Sequence, residues 1–200
     1  MQNTNTNFYN IGVSYLKADV QTRGRFSLSK ENQILLLEEA KKRGFDIFVL
    51  STCNRTEITG FAEHPFQLIN LLCNYSEGTV EEFARFLYVH KAQEAIDHLF
   101  RMGTGLDSQI LGDYEIVGQL RQSFKLAKEY KTTNAYIERL LNEVLHASKL
   151  VKNETKLSSG TTSVSYAAVQ YITKNLPDYN EKRILVYGCL LYTSPSPRDS

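Results

Sequence analysis

The sequence predicts an α+β domain with a helical second half, followed by the opening of a truncated α/β unit. Three observations carry this. Residues 1–90 hold short β-prone runs separated by turns and brief helical stretches. From Lys91 onward apolar residues recur at helical spacing. Near the end, Arg183 to Gly188 (RILVYG) is an apolar run closed by glycine.

The elements follow in order. Phe8 to Leu16 (FYNIGVSYL) is aromatic and β-branched and reads as the first strand. Thr22 to Ser27 reads as a loop. Ser27 or Ser29 caps a helix to about Arg43, with Ile34, Leu35 and Leu37 as its apolar surface and Gly44 as its stop. Phe45 to Leu50 and Ile58 to Phe61 are strands. Pro65 opens a short helix to about Asn74, which places Cys73 in the core. Leu87 to Val89 is another short strand.

In the helical half, Ala92, Ala95, Ile96 and Leu99 share a face, with His98 on its flank. Gly103 to Gly112 interrupts. Asp113 starts a helix to about Lys131 whose apolar face is Ile116, Val117, Leu120, Phe124 and Ala127. Glu115 and Gln119 project from one side of it. Thr133 or Asn134 caps a long helix to about Glu154, with a stripe of Ile137, Leu140, Leu141, Val144, Leu145, Ser148 and Val151. Lys156 to Thr162 (KLSSGTT) is polar and marks a domain boundary, so residues 1–157 form the first domain. Ser163 then caps a helix bearing Val164, Ala167, Ala168, Tyr171 and Ile172.

Residues 158–188 read as the start of a dinucleotide-binding unit, with Gly188 its first phosphate-loop glycine. The expected second and third glycines do not follow, and Pro195 and Pro197 interrupt any helix there. Residues 189–200 are expected to be foreign to the fold and disordered.

Composition narrows the function classes. The net charge is +1 and 42% of residues are hydrophobic, which fits an ordinary globular chain and lacks the strong basicity of a dedicated nucleic-acid binder. Lys125 to Lys156 carries seven Lys/Arg against four Glu, which reads as a weak phosphate-facing surface or, the preferred reading, as a solvated helix face. Cys53, Cys73 and Cys189 have no metal-ligand spacing, and a reducing cytoplasm is the expected compartment. No stretch has the length of a transmembrane helix, and the polar N-terminus has no signal-peptide core.

Chemistry concentrates in Ser51-Thr-Cys-Asn-Arg-Thr-Glu57, at the carboxyl end of a buried strand. Thr52, Asn54, Arg55, Thr56 and Glu57 surround Cys53 with hydroxyl, amide, guanidinium and carboxylate groups. Two readings stay open on the residues alone. Cys53 is either a small buried hydrophobe or a nucleophile beside a cation, Arg55, that favours its thiolate. Arg55 is also suited to grip a carboxylate at two points. His64, His90 and His146 carry no distinguishing signal.

This stretch resembles the active-site signature of glutamyl-tRNA reductases. Three further blocks are similar to that family: Glu94-Ala-Ile-Asp-His-Leu-Phe-Arg-Met-Gly-Thr-Gly-Leu-Asp-Ser108, then Gln109-Ile-Leu-Gly-Asp-Tyr-Glu-Ile-Val-Gly-Gln119, then Ser158-Ser-Gly-Thr-Thr-Ser-Val-Ser-Tyr-Ala-Ala168. Asp113 and Glu115 depart from the Glu and Gln common at those places.

The resemblance implies an enzyme that reduces glutamyl-tRNA to glutamate-1-semialdehyde with NADPH, the first step of tetrapyrrole synthesis from glutamate. It implies that Cys53 is the nucleophile, forming a thioester, and that His98 assists near the reacting carbonyl. It places Thr52, Asn54, Arg55, Ser108, Asp113, Tyr114, Glu115 and Gln119 around the glutamyl group, and leaves Gly188 as the remnant of the cofactor site. Its partners would be glutamyl-tRNA, a second copy in the full-length homodimer, and glutamate-1-semialdehyde aminomutase. With the nucleotide unit cut short, only acylation and hydrolysis are expected of these residues. Two other classes compete: a non-catalytic RNA- or partner-binding module of the same fold, and a thiol acyl-hydrolase that needs no nucleotide.

Overall fold

The computed structural model describes residues 6–108, 111–112, 114–155, 157, 164–183 and 185. They fall into two compact units, 1–163 and 164–200. The first unit runs β1 (Asn7–Ser14), α1 (Val20–Phe26), α2 (Lys30–Lys42), β2 (Ile47–Ser51), β3 (Arg55–Ala62), α3 (Pro65–Cys73), α4 (Val80–Phe86), β4 (Tyr88–Lys91), α5 (Gln93–Gly103), α6 (Glu115–Glu129) and α7 (Ala135–Glu154). The second holds α8 (Val164–Asn175) and a 3-10 turn, Tyr179–Glu181. The α+β class is as the sequence predicts. The expected cap Ser163, the boundary at Lys156–Thr162 and Gly188 fall outside the described residues, Leu157 apart. So do the strand over Arg183–Gly188, except Arg183 and Leu185, and the whole tail 189–200.

The four strands form one antiparallel sheet in the order β2-β3-β1-β4. Register decides which side chains share a face, because alternate residues of a strand point to opposite sides. Asn10, Gly12 and Ser14 of β1 stand opposite Thr59, Glu57 and Arg55 of β3, and Asn10 and Gly12 also stand opposite His90 and Tyr88 of β4. That face is polar. The other carries Ile11, Val13, Ile58 and Val49 and is the dry core. Both faces are buried: Asn10, Arg55, Glu57 and Thr59 are, like Ile11 and Ile58, no more than 2% exposed. Gly12 makes room for this, since a Cβ there would lie 2.7 Å from the Glu57 Cγ.

The helices pack largely as their periodicity dictates. In α7, Ile137, Leu141, Val144 and Ser148 are buried, and Ile116, Leu120, Phe124 and Ala127 do the same for α6. α5 lies tight against α7 at Gly103, where a Cβ would approach Val144 Cγ1 to 2.3 Å. Asn134, not Thr133, caps α7, its Oδ1 accepting from Ile137 N–H at 3.0 Å. Ser29 caps α2, and Gly44 ends it with a φ of 74°.

Three sequence expectations need correction. The buried stripe of α2 is Leu36, Leu37 and Ala40, so Leu35 faces outward at 49% exposure and Ile34 lies at the margin. The stretch read as a loop, Thr22 to Ser27, is most of α1. Gly24 hides the helical pattern, at a cost of about 1 kcal/mol, and the Asp19 cap on Thr22 N–H offsets it by about as much. The helix α4 escaped notice although its start is signalled by Thr79-x-x-Glu82, a reciprocal capping box. It places Phe83 against Phe26, ring centroids 4.9 Å apart.

Candidate active site

The polar face of the sheet holds a dry cluster of ionisable groups centred on Glu57, which is 1% exposed. Its Oε1 accepts from Arg55 Nη1 at 3.0 Å, Tyr88 Oη at 2.5 Å and His98 Nε2 at 3.0 Å. Its Oε2 accepts from Asn10 Nδ2 at 2.9 Å, and the same amide donates to Thr59 Oγ1 at 2.7 Å. Burial alone would push the Glu57 carboxyl up. The facing His98, the Arg55 guanidinium and the Tyr88 hydroxyl overcome this and hold it well below the usual carboxylate range. The Tyr88 phenol is pushed up, first by burial and then by the Glu57 charge.

A second carboxylate arrives from the loop after α5. There Leu106 and Asp107 donate their N–H groups to Arg101 O at 2.9 and 3.2 Å. Asp107 Oδ2 accepts from Arg55 Nη1 at 3.1 Å, and Asp107 O from Arg55 Nη2 at 2.5 Å. His98 Nδ1 stands 3.8 Å from Asp107 Oδ2, so the imidazole lies between two carboxylates. Because a carboxylate only accepts, His98 Nε2 is the protonated nitrogen toward Glu57. His90 stacks on His98 at 4.8 Å; burial first, then its neighbour His98, lowers its basicity. This corrects the reading of His90 as unremarkable. His64 also has a role: it caps α3, its Nδ1 accepting from Phe66 N–H at 3.2 Å.

Over this cluster sits the turn Thr52–Arg55, between β2 and β3. Thr52 Oγ1 accepts from Asn54 N–H at 3.2 Å and Arg55 N–H at 3.1 Å, while Thr52 N–H donates to Arg55 O at 2.8 Å. Asn54 O accepts from Tyr15 N–H at 2.9 Å. A turn with its polar groups tied inward leaves Cys53 outside, and Cys53 is exposed with a free thiol. The reading of Cys53 as a buried hydrophobe is therefore set aside. Cys73 is the buried thiol, pushed up to about 11 by burial and by Glu81. Beside Cys53 a cavity of about 40 Å³ is lined by Tyr15, Thr52, Asn54, Arg55, Ser108, Glu115, Ile116 and Gln119.

The structure thus brings Thr52, Cys53, Asn54, Arg55, Ser108, Glu115 and Gln119 to one place. Asp113 lies outside the described residues. Tyr114 does not line the cavity. Its hydroxyl is buried with no hydrogen-bond partner among the described residues, and Lys152 Nζ sits 5.2 Å from its ring centroid. His98 does not line it either and reaches Arg55 only through Glu57 and Asp107. Arg55 borders the cavity, yet it is 2% exposed and its fork faces Glu57 and Asp107. The picture of a fork open to a ligand gives way to a buried anchor under Cys53.

Sequence reasoning named no role for Asn10, Tyr88 or Asp107, and gave Glu57 only a place beside Cys53. For Glu57 a signal was present: Arg55-x-Glu57-x-Thr59 puts three polar side chains on one face of a strand. Among the described residues no His/Cys/Asp/Glu group has the makings of a metal site. No described helix is long and apolar enough to cross a membrane.

Comparison with known proteins gives the same direction. Residues 11–155 match the N-terminal domain of glutamyl-tRNAGlu reductase. The chain is 58% identical over 182 residues to glutamyl-tRNA reductase of Christiangramia forsetii, covering 90% of this chain and 44% of that protein. It is 55% identical over 182 residues to the Flavobacterium psychrophilum enzyme, with the same coverage. The chain spans less than half the length of these relatives. In three dimensions it is similar to glutamyl-tRNA reductase from Methanopyrus kandleri, with a TM-score of 0.66, 21% identity, and coverage of 84% of this chain and 39% of that one. At that identity the likeness speaks for the fold alone. The match over residues 11–155 is the decisive one, and by it the chain belongs to the glutamyl-tRNA reductase family, whose N-terminal domain it carries.

Proposed function

We propose that this chain supplies the acyl-accepting half of glutamyl-tRNA reduction, the step that opens tetrapyrrole synthesis from glutamate. The observation that carries the reading is an exposed Cys53 thiol beside a polar cavity, on a turn anchored over a buried charge cluster. A thiolate is a strong nucleophile near neutral pH. Its sulfur attacks the ester carbonyl of glutamate on tRNA; the C–O bond to the ribose breaks, and the ribose oxygen leaves with a proton. A thioester on Cys53 remains. Ser108, Glu115 and Gln119 offer hydrogen-bonding groups around the glutamyl moiety, and Glu115 suits its ammonium. Arg55 acts from below, anchoring the turn to the buried cluster. His98 acts through Glu57 and Asp107 on the same anchor.

NADPH would supply the hydride that reduces the thioester to glutamate-1-semialdehyde. Among the described residues no strand–glycine–helix turn offers a pyrophosphate cradle, and the chemistry assigned to them ends at the thioester. Homodimerisation and association with the aminomutase belong to the same reading of the longer protein.

The test is acid-quench trapping of labelled glutamate on the chain after mixing with glutamyl-tRNA. Peptide mapping should place the label on Cys53 and not on the buried Cys73. Cys53→Ser should fold normally and trap none. Equal labelling of that variant would remove Cys53 from its role.

A further inference from the structure

The peptide joining Cys53 to Asn54 is gripped on both sides. Its N–H donates to Thr52 Oγ1 at 3.2 Å, within the turn. Its carbonyl, Cys53 O, accepts from Arg23 Nε at 3.2 Å. Arg23 belongs to a different element, α1, thirty residues earlier in the chain.

Arg23 is itself anchored. Its Nη1 donates to Ala18 O at 2.6 Å, and Ala18 N–H donates to Ser14 O at 3.1 Å, at the end of β1. α1 is started by Asp19, which accepts from Thr22 N–H at 2.7 Å. A continuous chain of bonds therefore runs from the sheet, through α1, to the carbonyl of the exposed cysteine. The neighbouring carbonyls of the turn have backbone partners, Tyr15 N–H on Asn54 O and Thr52 N–H on Arg55 O. For Cys53 O the donor is a guanidinium, and a charged donor makes a stronger bond than a neutral one.

We propose that Arg23 is a positioning residue: it fixes the plane of the Cys53–Asn54 peptide and so aims the Cys53 thiol at a carbonyl presented over the cavity. An exposed side chain on a tight turn has no packed neighbours to lock it, so its direction is set by its backbone. If Arg23 lets go, the Thr52 hydroxyl alone holds the peptide and its plane can swing about ψ of Cys53, and a misplacement of about 1 Å at a reacting atom costs on the order of 10²-fold in rate. The role rests on Cys53 being the acyl acceptor.

The test uses the whole chain with Arg23→Gln and Arg23→Lys. Three readouts are compared with the parent: single-turnover acylation by glutamyl-tRNA, alkylation of Cys53 by iodoacetamide, and hydrogen exchange at the Asn54 amide. Iodoacetamide approaches from any direction, whereas an ester held by its other end does not. Arg23→Gln should acylate roughly 10²-fold more slowly, as expected for a misdirected nucleophile, with alkylation unchanged and Asn54 exchange faster. Lys reaches one carbonyl but not both, so Arg23→Lys should recover part of the acylation rate. If Arg23→Gln does not fold, Arg23→Lys carries the same comparison against the parent. Acylation at the parent rate would overturn the proposal. So would alkylation falling in parallel, because that describes a change in thiol reactivity and not in aim. A parent chain that is never acylated refutes the function of Cys53 instead. Asn54 exchange then decides whether Arg23 grips the peptide, and unchanged exchange in the variant would sink that grip too.

Discussion

Replacing Glu57 with Gln tests the buried cluster directly. Gln keeps the shape of Glu and an acceptor oxygen, so the bonds from Arg55, Tyr88 and His98 to Oε1 persist. Its new NH₂ replaces Oε2 and meets the Asn10 amide, whose Oδ1, buried without a partner among the described residues, accepts once that amide turns over, with the Thr59 hydroxyl donating to it in place of accepting. Geometry is thus largely preserved and the charge alone is lost. Removing one partner of a buried ion pair costs about 3–5 kcal/mol, and the retained bonds place this case near 3. At about 2–4 °C per kcal/mol for a chain of this size, Tm should fall by roughly 6–12 °C at pH 7. The pH dependence carries a further signature. The Glu57 carboxyl lies below its ordinary 4.5 in the folded protein, so its stabilisation is complete above 4.5 and drains away as pH falls toward the folded value. Gln does not titrate. The stability gap between parent and variant, followed by urea unfolding from pH 7 to pH 3, should narrow below pH 4.5. A gap that stays constant over that range, or no gap at pH 7, would refute the reasoning.

Arg55→Lys should unfold more readily than the parent by about 2–4 kcal/mol, because one ammonium cannot reproduce bonds to Glu57, Asp107 Oδ2 and Asp107 O from two nitrogens; urea unfolding at neutral pH reads this, and an unchanged midpoint would show the fork to be dispensable to the fold. Gly103→Ala drives a methyl group against Val144, a β-branched residue with little freedom to yield, and should cost about 1–3 kcal/mol; parent-like stability would mean that α5 and α7 separate freely. His64→Ala removes the α3 cap and should cost about 1 kcal/mol with no change in Cys53 alkylation, a loss measurable by thermal melting.

The long periodic elements were legible in the sequence because packing obeys a single repeat. α7 buries Ile137, Leu141 and Val144 as its stripe requires, and Cys53 emerges after a buried strand as its neighbours suggest. What escaped was set by partners distant in the chain. Leu36 displaces Leu35 from the core of α2 because the sheet, not the helix, decides which side is inward. Asp107 reaches Arg55 across 52 residues, and nothing local to either announces it. The polar alternation of Arg55, Glu57 and Thr59 was visible, but a polar strand face normally meets water or ligand. Here it meets His98, Tyr88 and Asn10 instead.

The shared ion pairs of Arg55, Glu57, Asp107 and His98 also constrain how this protein can change by descent. Each replacement leaves its neighbours short of a partner, so its effect depends on which of the other three has already changed. Loss of Glu57 before Arg55 leaves the guanidinium to Asp107 alone, while loss of Arg55 first leaves two carboxylates about one imidazole. The first order passes through a balanced Arg55–Asp107 pair and the second through two carboxylates without their guanidinium. Single-step change is therefore costly at these four positions. A lineage that abandons the cluster must do so in one concerted exchange, or through a background stable enough to carry an unpaired charge for a time.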